Sequence, residues 1–215
     1  MKTYIITLER AYDRQAKCRE RYDNFEFFYG VDGNPLGEEL RMMPTFKPGE
    51  VGCFKSHRDL WLKILMDSTD DNFVLILEDD AKPHIGYKKH LNDVVEELKK
   101  QEHSNIGICW LHKNKPQGFY RKMAGKFGNI FQDPIDDEPL GEHINKAGGR
   151  LNTTAYLIRP SIAKELFYRM SPMLIPFDCQ IHLPNNRKDI GHAVSKKHIF
   201  AQNPTQLPSY IHQKT

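Results

Sequence analysis

The chain has 215 residues, 39% of them hydrophobic and 27% charged, with a net charge of +3 and a sequence pI of about 8.6. That is the length of one domain with material for a sizeable core. The balance is too mildly basic, and too free of dense basic runs, for a nucleic-acid binder, and no segment is long and apolar enough to span a membrane.

The N-terminal "MKTYIITLERAY" holds too short an apolar run for a signal peptide. The four cysteines (Cys18, Cys53, Cys109 and Cys179) are scattered without a C-x-x-C pair and read as free thiols. Together these features predict a reducing, cytoplasmic setting, in solution or at a membrane surface.

In chain order, "TYIITL" is apolar and β-branched and reads as a strand buried on both faces. A charged helical stretch, "AYDRQAKCRERYD", leads to a second strand, "FEFFYG", closed by the turn "VDGNP". Residues 34 to 48 read as loop. A helix starts near Gly49, with Pro48 and Glu50 suiting its first turn. "FVLIL" is the strongest strand pattern in the chain. The next helix carries Leu91, Val94, Val95 and Leu98 on one stripe. "IGICWL" is another buried strand.

Residues 113 to 150 show no period, and a long irregular stretch inside a domain is more often functional than idle. "TTAYLI" then reads as a strand and "PSIAKELFYRM" as a helix, with one short strand near "KHIFAQ". Alternating strands and helices predict an α/β domain with a mainly parallel sheet flanked by helices.

In such sheets ligands sit outside the carboxyl ends of the strands. Glu78, Asp79 and Asp80 leave that end of "FVLIL". Side chains alternate along extended backbone, so Glu78 and Asp80 should converge while Asp79 turns away. Two convergent carboxylates make a hard-oxygen site for Mn²⁺ or Mg²⁺. The plainer alternative is a run of solvated loop acids.

The segments "YIITLERAYDR", "VDG", "GEVGCFKSHRDLW", "LILEDDA", "TTAYLIRPSIAKEL" and "IPFD" occur in that order. Together they resemble glycosyltransferase family 25. That family includes bacterial lipooligosaccharide galactosyltransferases, the collagen galactosyltransferase domain and sequences from large DNA viruses. The resemblance runs over about residues 4 to 180 and is most specific in "GEVGCFKSH" and "LILEDDA".

The resemblance implies a single GT-A-like (Rossmann-like) domain, with residues 1–112 as a nucleotide-sugar half and 113–215 as an acceptor half. It implies a Mn²⁺- or Mg²⁺-dependent transfer of galactose or glucose from a UDP-sugar to a hydroxyl of a glycan or glycoprotein acceptor, with inversion. Glu78 and Asp80 would hold the metal, with Asp79 beside them. The turn carrying Leu8, Arg10 and Arg14 would meet uracil and ribose. Thr7 stands there where the family usually has Asn. Asp32 and Gly33 close the second strand at the same edge, where Asp32 would accept from ribose or uracil; an Asx turn is its other reading. Ser56 and His57 would face the donor sugar, and Thr153 and Thr154 the sugar or acceptor.

Asp178, in the P-x-D position, would be the base that takes the acceptor's proton. Asp136 and Asp137 are rival bases. His182, His192, His198 and His212 compete as a further metal ligand, with no spacing to choose among them. Two other functions stay open on the sequence: a sugar-1-phosphate nucleotidyltransferase, which usually brings a Gly-rich phosphate loop not seen after Leu8, and a non-catalytic nucleotide-sugar-binding module.

Overall fold

The structure is a computed structural model, and it describes residues 1–34, 46–112, 137–148 and 152–202. Its elements are β1 (Thr3–Thr7), α1 (Tyr12–Arg21), β2 (Glu26–Tyr29), α2 (Pro48–Asp67), β3 (Val74–Glu78), β4 (Ala81–Pro83), α3 (Tyr87–Leu98) and β5 (Ile106–Trp110). There follow β6 (Glu138–Pro139), β7 (Ile144–Lys146), β8 (Ala155–Ile158), α4 (Pro160–Arg169), α5 (Phe177–Gln180), α6 (Pro184–Arg187), β9 (Gly191–Ser195) and β10 (Phe200–Gln202).

Eight strands form one sheet in the order β2-β1-β3-β8-β5-β9-β7-β6, and β10 pairs with β4 in a separate two-stranded ribbon. β1 lies parallel to β2 and to β3, and β5 parallel to β9. β8 runs antiparallel between β3 and β5, and β7 antiparallel to β9 and β6. Every strand of the sheet but β8 and β7 therefore points the same way, and the mainly parallel α/β expectation holds. Alternating hydropathy cannot report strand direction, so the reversal of "AYLI" was not legible in the sequence.

Strand alternation sorts the core into two layers. Tyr4, Val74, Ile76, Ile108, Trp110, Tyr156 and Ile158 face α2, α4 and α5, meeting Phe54, Trp61, Ala163, Leu166 and Phe177. Ile5, Leu75, Leu77, Cys109 and Leu157 face α1 and α3, meeting Cys18, Leu91, Val94 and Leu98. α2 begins with Pro48 in its first turn, where a missing N–H is harmless. Glu50 accepts from the Lys47 N–H at 2.8 Å to close that end.

The start of α2 also abuts the loop leaving β2. A Cβ on Gly33 would lie 1.8 Å from the Pro48 carbonyl oxygen, and one on Gly52 would lie 2.7 Å from that of Val31. The two glycines let backbones meet where no side chain fits. This contact forms one wall of the site below.

Candidate functional site

The carboxyl ends of β1, β2 and β3 open into a cavity of about 130 Å³. Thr7, Leu8, Arg14, Asp32, Gly33, Ser56, His57, Glu78, Asp79 and Asp80 all line it. So do two residues that sequence reasoning passed over, Cys53 and Gln202.

The three adjacent acids have separate fates. Asp79 is buried and turned to the protein: Arg14 donates to its Oδ1 at 2.6 Å and the Thr7 hydroxyl to its Oδ2 at 2.7 Å. Its backbone N–H continues the β1 ladder by donating to the Ile6 carbonyl at 3.0 Å. Burial raises its carboxyl above the ordinary range, against the pull of Arg14 and Thr7. Asp79 thus turns away as the alternation predicts, to a guanidinium and a hydroxyl. Thr7 and Arg14 are held by the same contacts.

Glu78 accepts from the Thr153 hydroxyl and lies 3.4 Å from His57 Nε2, both on Oε1. Burial pushes its carboxyl up, but the bond and charge of His57, the Thr153 hydroxyl and the charge of His112 draw it below the usual range. Among the described residues, Asp80 has one bond, from Gln202 Nε2 to Oδ2 at 3.2 Å. Its Oδ1 is buried without a hydrogen-bond partner among the described residues. Burial, then the neighbouring charge of Glu78, push its carboxyl up to about 7.

A buried orphan carboxylate oxygen is costly unless something compensates it. A divalent cation held by Asp80 and Glu78 would do so, and the donor set suits Mn²⁺ or Mg²⁺. The site therefore fits the implied metal.

His57 is buried, stacked on Phe177 with ring centroids 4.4 Å apart, and its Nδ1 lies 2.8 Å from the Tyr156 hydroxyl. The Trp61 indole N–H donates to that hydroxyl at 3.1 Å. The Tyr156 oxygen must accept from Trp61, so its single proton is free to go to Nδ1. With that proton on the Tyr156–Nδ1 bond, the ring proton sits on Nε2 and is aimed at Glu78. Ser56 is used structurally: its hydroxyl donates to the Gly52 carbonyl at 2.6 Å and accepts from the Val31 N–H at 2.8 Å.

At the cavity mouth Arg10 and Asp32 are bonded to each other, and Asp32 Oδ1 accepts from the Asn34 N–H at 3.1 Å. The Asx turn is therefore present. The Arg10 bond holds the Asp32 carboxyl below its ordinary value. Thr153 and Thr154 part company: Thr153 reaches Glu78, while the buried Thr154 hydroxyl and N–H bond the Asn152 side chain.

Asp178 sits in the first turn of α5 and accepts from the Asn152 N–H at 2.9 Å. Burial raises its carboxyl, the Asn152 N–H opposes this and the charge of Glu78 adds to it. Asn152 also donates to Gln202 Oε1 at 2.7 Å, and Gln202 in turn reaches Asp80. Asp178 and Asp80 are thus linked through the backbone N–H and side chain of Asn152 and the side chain of Gln202, two residues far apart in sequence.

A model of glycosyltransferase family 25, described as a lipopolysaccharide biosynthesis protein, matches residues 1–181. The chain belongs to glycosyltransferase family 25. It is a member of a family of glycosyl-transferring enzymes.

Among its relatives, a glycosyltransferase 25 family member of Anopheles gambiae is 28% identical over 199 residues, covering 81% of this chain and 30% of the relative. A putative glycosyltransferase of Acanthamoeba polyphaga mimivirus is 29% identical over 111 residues, 46% of this chain and 34% of the relative. Procollagen galactosyltransferase 1 of Danio rerio is 25% identical over 120 residues, 47% of this chain and 20% of the relative. These matches span about a third or less of the relatives' own lengths. Apo mouse xyloside xylosyltransferase 1 superposes with a TM-score of 0.37 at 12% identity, over 79% of this chain and 56% of that one.

The family's motifs explain most of the cavity's lining, and four further residues complete the site. Cys53 lies one turn before His57 on α2, and the ligand atoms of Cys53, His57 and Glu78 lie within 4.8 Å of one another. Burial, then Glu78 and Asp178, push the Cys53 thiol well up. Its i, i+4 spacing from His57 was a legible signal. The buried His112, whose charge bears on Glu78, follows β5 at the same edge. Asn152 and Gln202 carried no signal, because a lone amide has no pattern of its own.

Of the late histidines, His182 and His192 pack around Trp110 at 5.3 and 6.3 Å, and His198 against His84 at 4.8 Å. Among the described residues, the candidate cation group holds His57 and none of these. Asp137 accepts from the Gly148 N–H at 3.1 Å. Asp136 and His212 lie outside the described residues. Among the described residues no helix is long and apolar enough to cross a membrane.

Proposed function

We propose that this chain transfers a hexose, galactose or glucose, from a UDP-sugar to a hydroxyl of a glycan or glycoprotein acceptor, with Mn²⁺ or Mg²⁺ and with inversion. The observation that carries the reading is the buried Oδ1 of Asp80, unpartnered among the described residues, beside Glu78 at the carboxyl edge of the sheet. Residues 1–112 supply the nucleotide-sugar half and residues 113–215 the acceptor half.

Glu78 and Asp80 would hold the metal. When bound, it would neutralise charge on the leaving diphosphate. Leu8 and the Arg10–Asp32 pair flank the mouth where uracil and ribose would enter. The Arg14–Asp79 pair ties α1 to the end of β3. His57, oriented by Tyr156, presents its Nε2–H into the site. Asp178 would take the proton from the acceptor hydroxyl. Its raised carboxyl suits this task, because a base works best with a pKa drawn towards the working pH. Asn152 holds Asp178 Oδ2 in place.

The test is Asp80→Ala. Titration calorimetry with UDP, with and without Mn²⁺, should show that the metal tightens binding in the parent and not in the variant. Transfer from UDP-galactose or UDP-glucose should be lost. A variant whose UDP affinity still rises with Mn²⁺ would sink the assignment.

A further inference from the structure

Cys53, His57 and Glu78 meet in a way that donor-site chemistry does not require. His57 Nε2 and Glu78 Oε1 are 3.4 Å apart, longer than a good hydrogen bond. Two ligands of a tetrahedral zinc ion, each about 2.0–2.1 Å from the metal, lie about 3.3 Å apart. The Cys53 sulfur, one helical turn from His57, lies within 4.8 Å of a ligand atom of each residue.

The surroundings are those of a metal site as well. Tyr156 holds Nδ1, the nitrogen a ligating histidine keeps for orientation, and Thr153 holds Glu78. The Tyr156 hydroxyl serves either imidazole tautomer, donating to a bare Nδ1 or accepting from Nδ1–H.

We propose that Cys53, His57 and Glu78 form a binding site for a borderline-soft divalent cation of the zinc class, with the fourth position open to the cavity. Sulfur, nitrogen and one carboxylate select such an ion, whereas the oxygens of Asp80 suit a hard one. Binding releases the thiol proton of Cys53 Sγ, and the His57 ring coordinates through a bare Nε2 with its proton on Nδ1. Glu78 belongs to both sets. A zinc-class ion would therefore withdraw it from the hard cation and inhibit the enzyme, a consequence that rests on the proposed donor site; the binding itself does not.

The test uses Co²⁺ as a spectroscopic stand-in for zinc on the folded full chain. The parent should show a thiolate-to-cobalt charge-transfer band that stoichiometric Zn²⁺ abolishes. Cys53→Ala should lose the band and bind Zn²⁺ about 100-fold more weakly, with thermal unfolding confirming its fold. Tyr156→Phe should keep the band and weaken Zn²⁺ by about 10–100-fold. Asp80→Asn should keep the band while losing Mn²⁺-dependent UDP binding, which separates this site from the donor site. A parent without the band, or a band that survives in Cys53→Ala, overturns the proposal.

Discussion

Asp80→Asn should stabilise the metal-free protein while removing its response to Mn²⁺. In the native state the Asp80 carboxyl is pushed up to about 7 by burial and by Glu78, whereas an unfolded Asp titrates near ~3.9. Between these values the native state binds the extra proton. Stability is therefore full below about pH 4 and falls as pH rises through 7. At about 1.4 kcal/mol per unit, ionising Asp80 in the apo protein costs up to roughly 4 kcal/mol. Asn copies the neutral acid and avoids that cost.

In EDTA at pH 8 the variant should be on the order of 2–4 kcal/mol more stable, a rise in Tm of roughly 5–10 °C. The difference should fade towards pH 4. Mn²⁺ at 100 times its Kd should then add about 2.7 kcal/mol to the parent and little to the variant. Scanning calorimetry across pH 4–8, with and without Mn²⁺, reads both effects. A variant less stable than its parent at pH 8 in EDTA, or a pH-independent difference, would refute the reasoning.

Arg14→Met should destabilise by about 3–5 kcal/mol in denaturant titrations, because it strands the buried Asp79 carboxylate. Arg10→Met, at the exposed pair with Asp32, should change stability by less than about 1 kcal/mol. Asp178→Asn should lower kcat by about 10²–10⁴-fold while leaving the calorimetric UDP affinity as it was; weakened UDP binding at unchanged kcat would remove Asp178 from the base role. Gly33→Ala should yield little folded protein in expression and circular-dichroism assays, because its Cβ would meet the Pro48 carbonyl at 1.8 Å.

Much of this architecture was legible in the sequence. "FVLIL" is apolar throughout because both faces of β3 are covered, and that made it the clearest strand. Alternation also foretold that Asp79 would face away from Glu78 and Asp80. It did not say to what, since Arg14 lies 65 residues away and ion pairs leave no periodic trace. β6, β7 and β4 are two or three residues long, too short for any period, and β9 carries a histidine at its second position that blurs its pattern. Gln202 meets Asp80 only because β10 pairs with β4, a contact fixed by tertiary structure.

The reversed strand β8 also governs how the molecule is assembled. It fills the gap between β3 and β5, although about forty residues separate it from β5 in the chain. During synthesis β1, β2, β3 and β5 emerge before the strand that joins β3 to β5. No hairpin can close that gap, and the sheet becomes continuous only after residue 158 has left the ribosome. Long-range pairing of this kind slows folding and leaves sticky edges open meanwhile. A product truncated before "TTAYLI" should consequently aggregate rather than persist as a free half, and the late segment that brings Thr153 to Glu78 doubles as the keystone of the sheet.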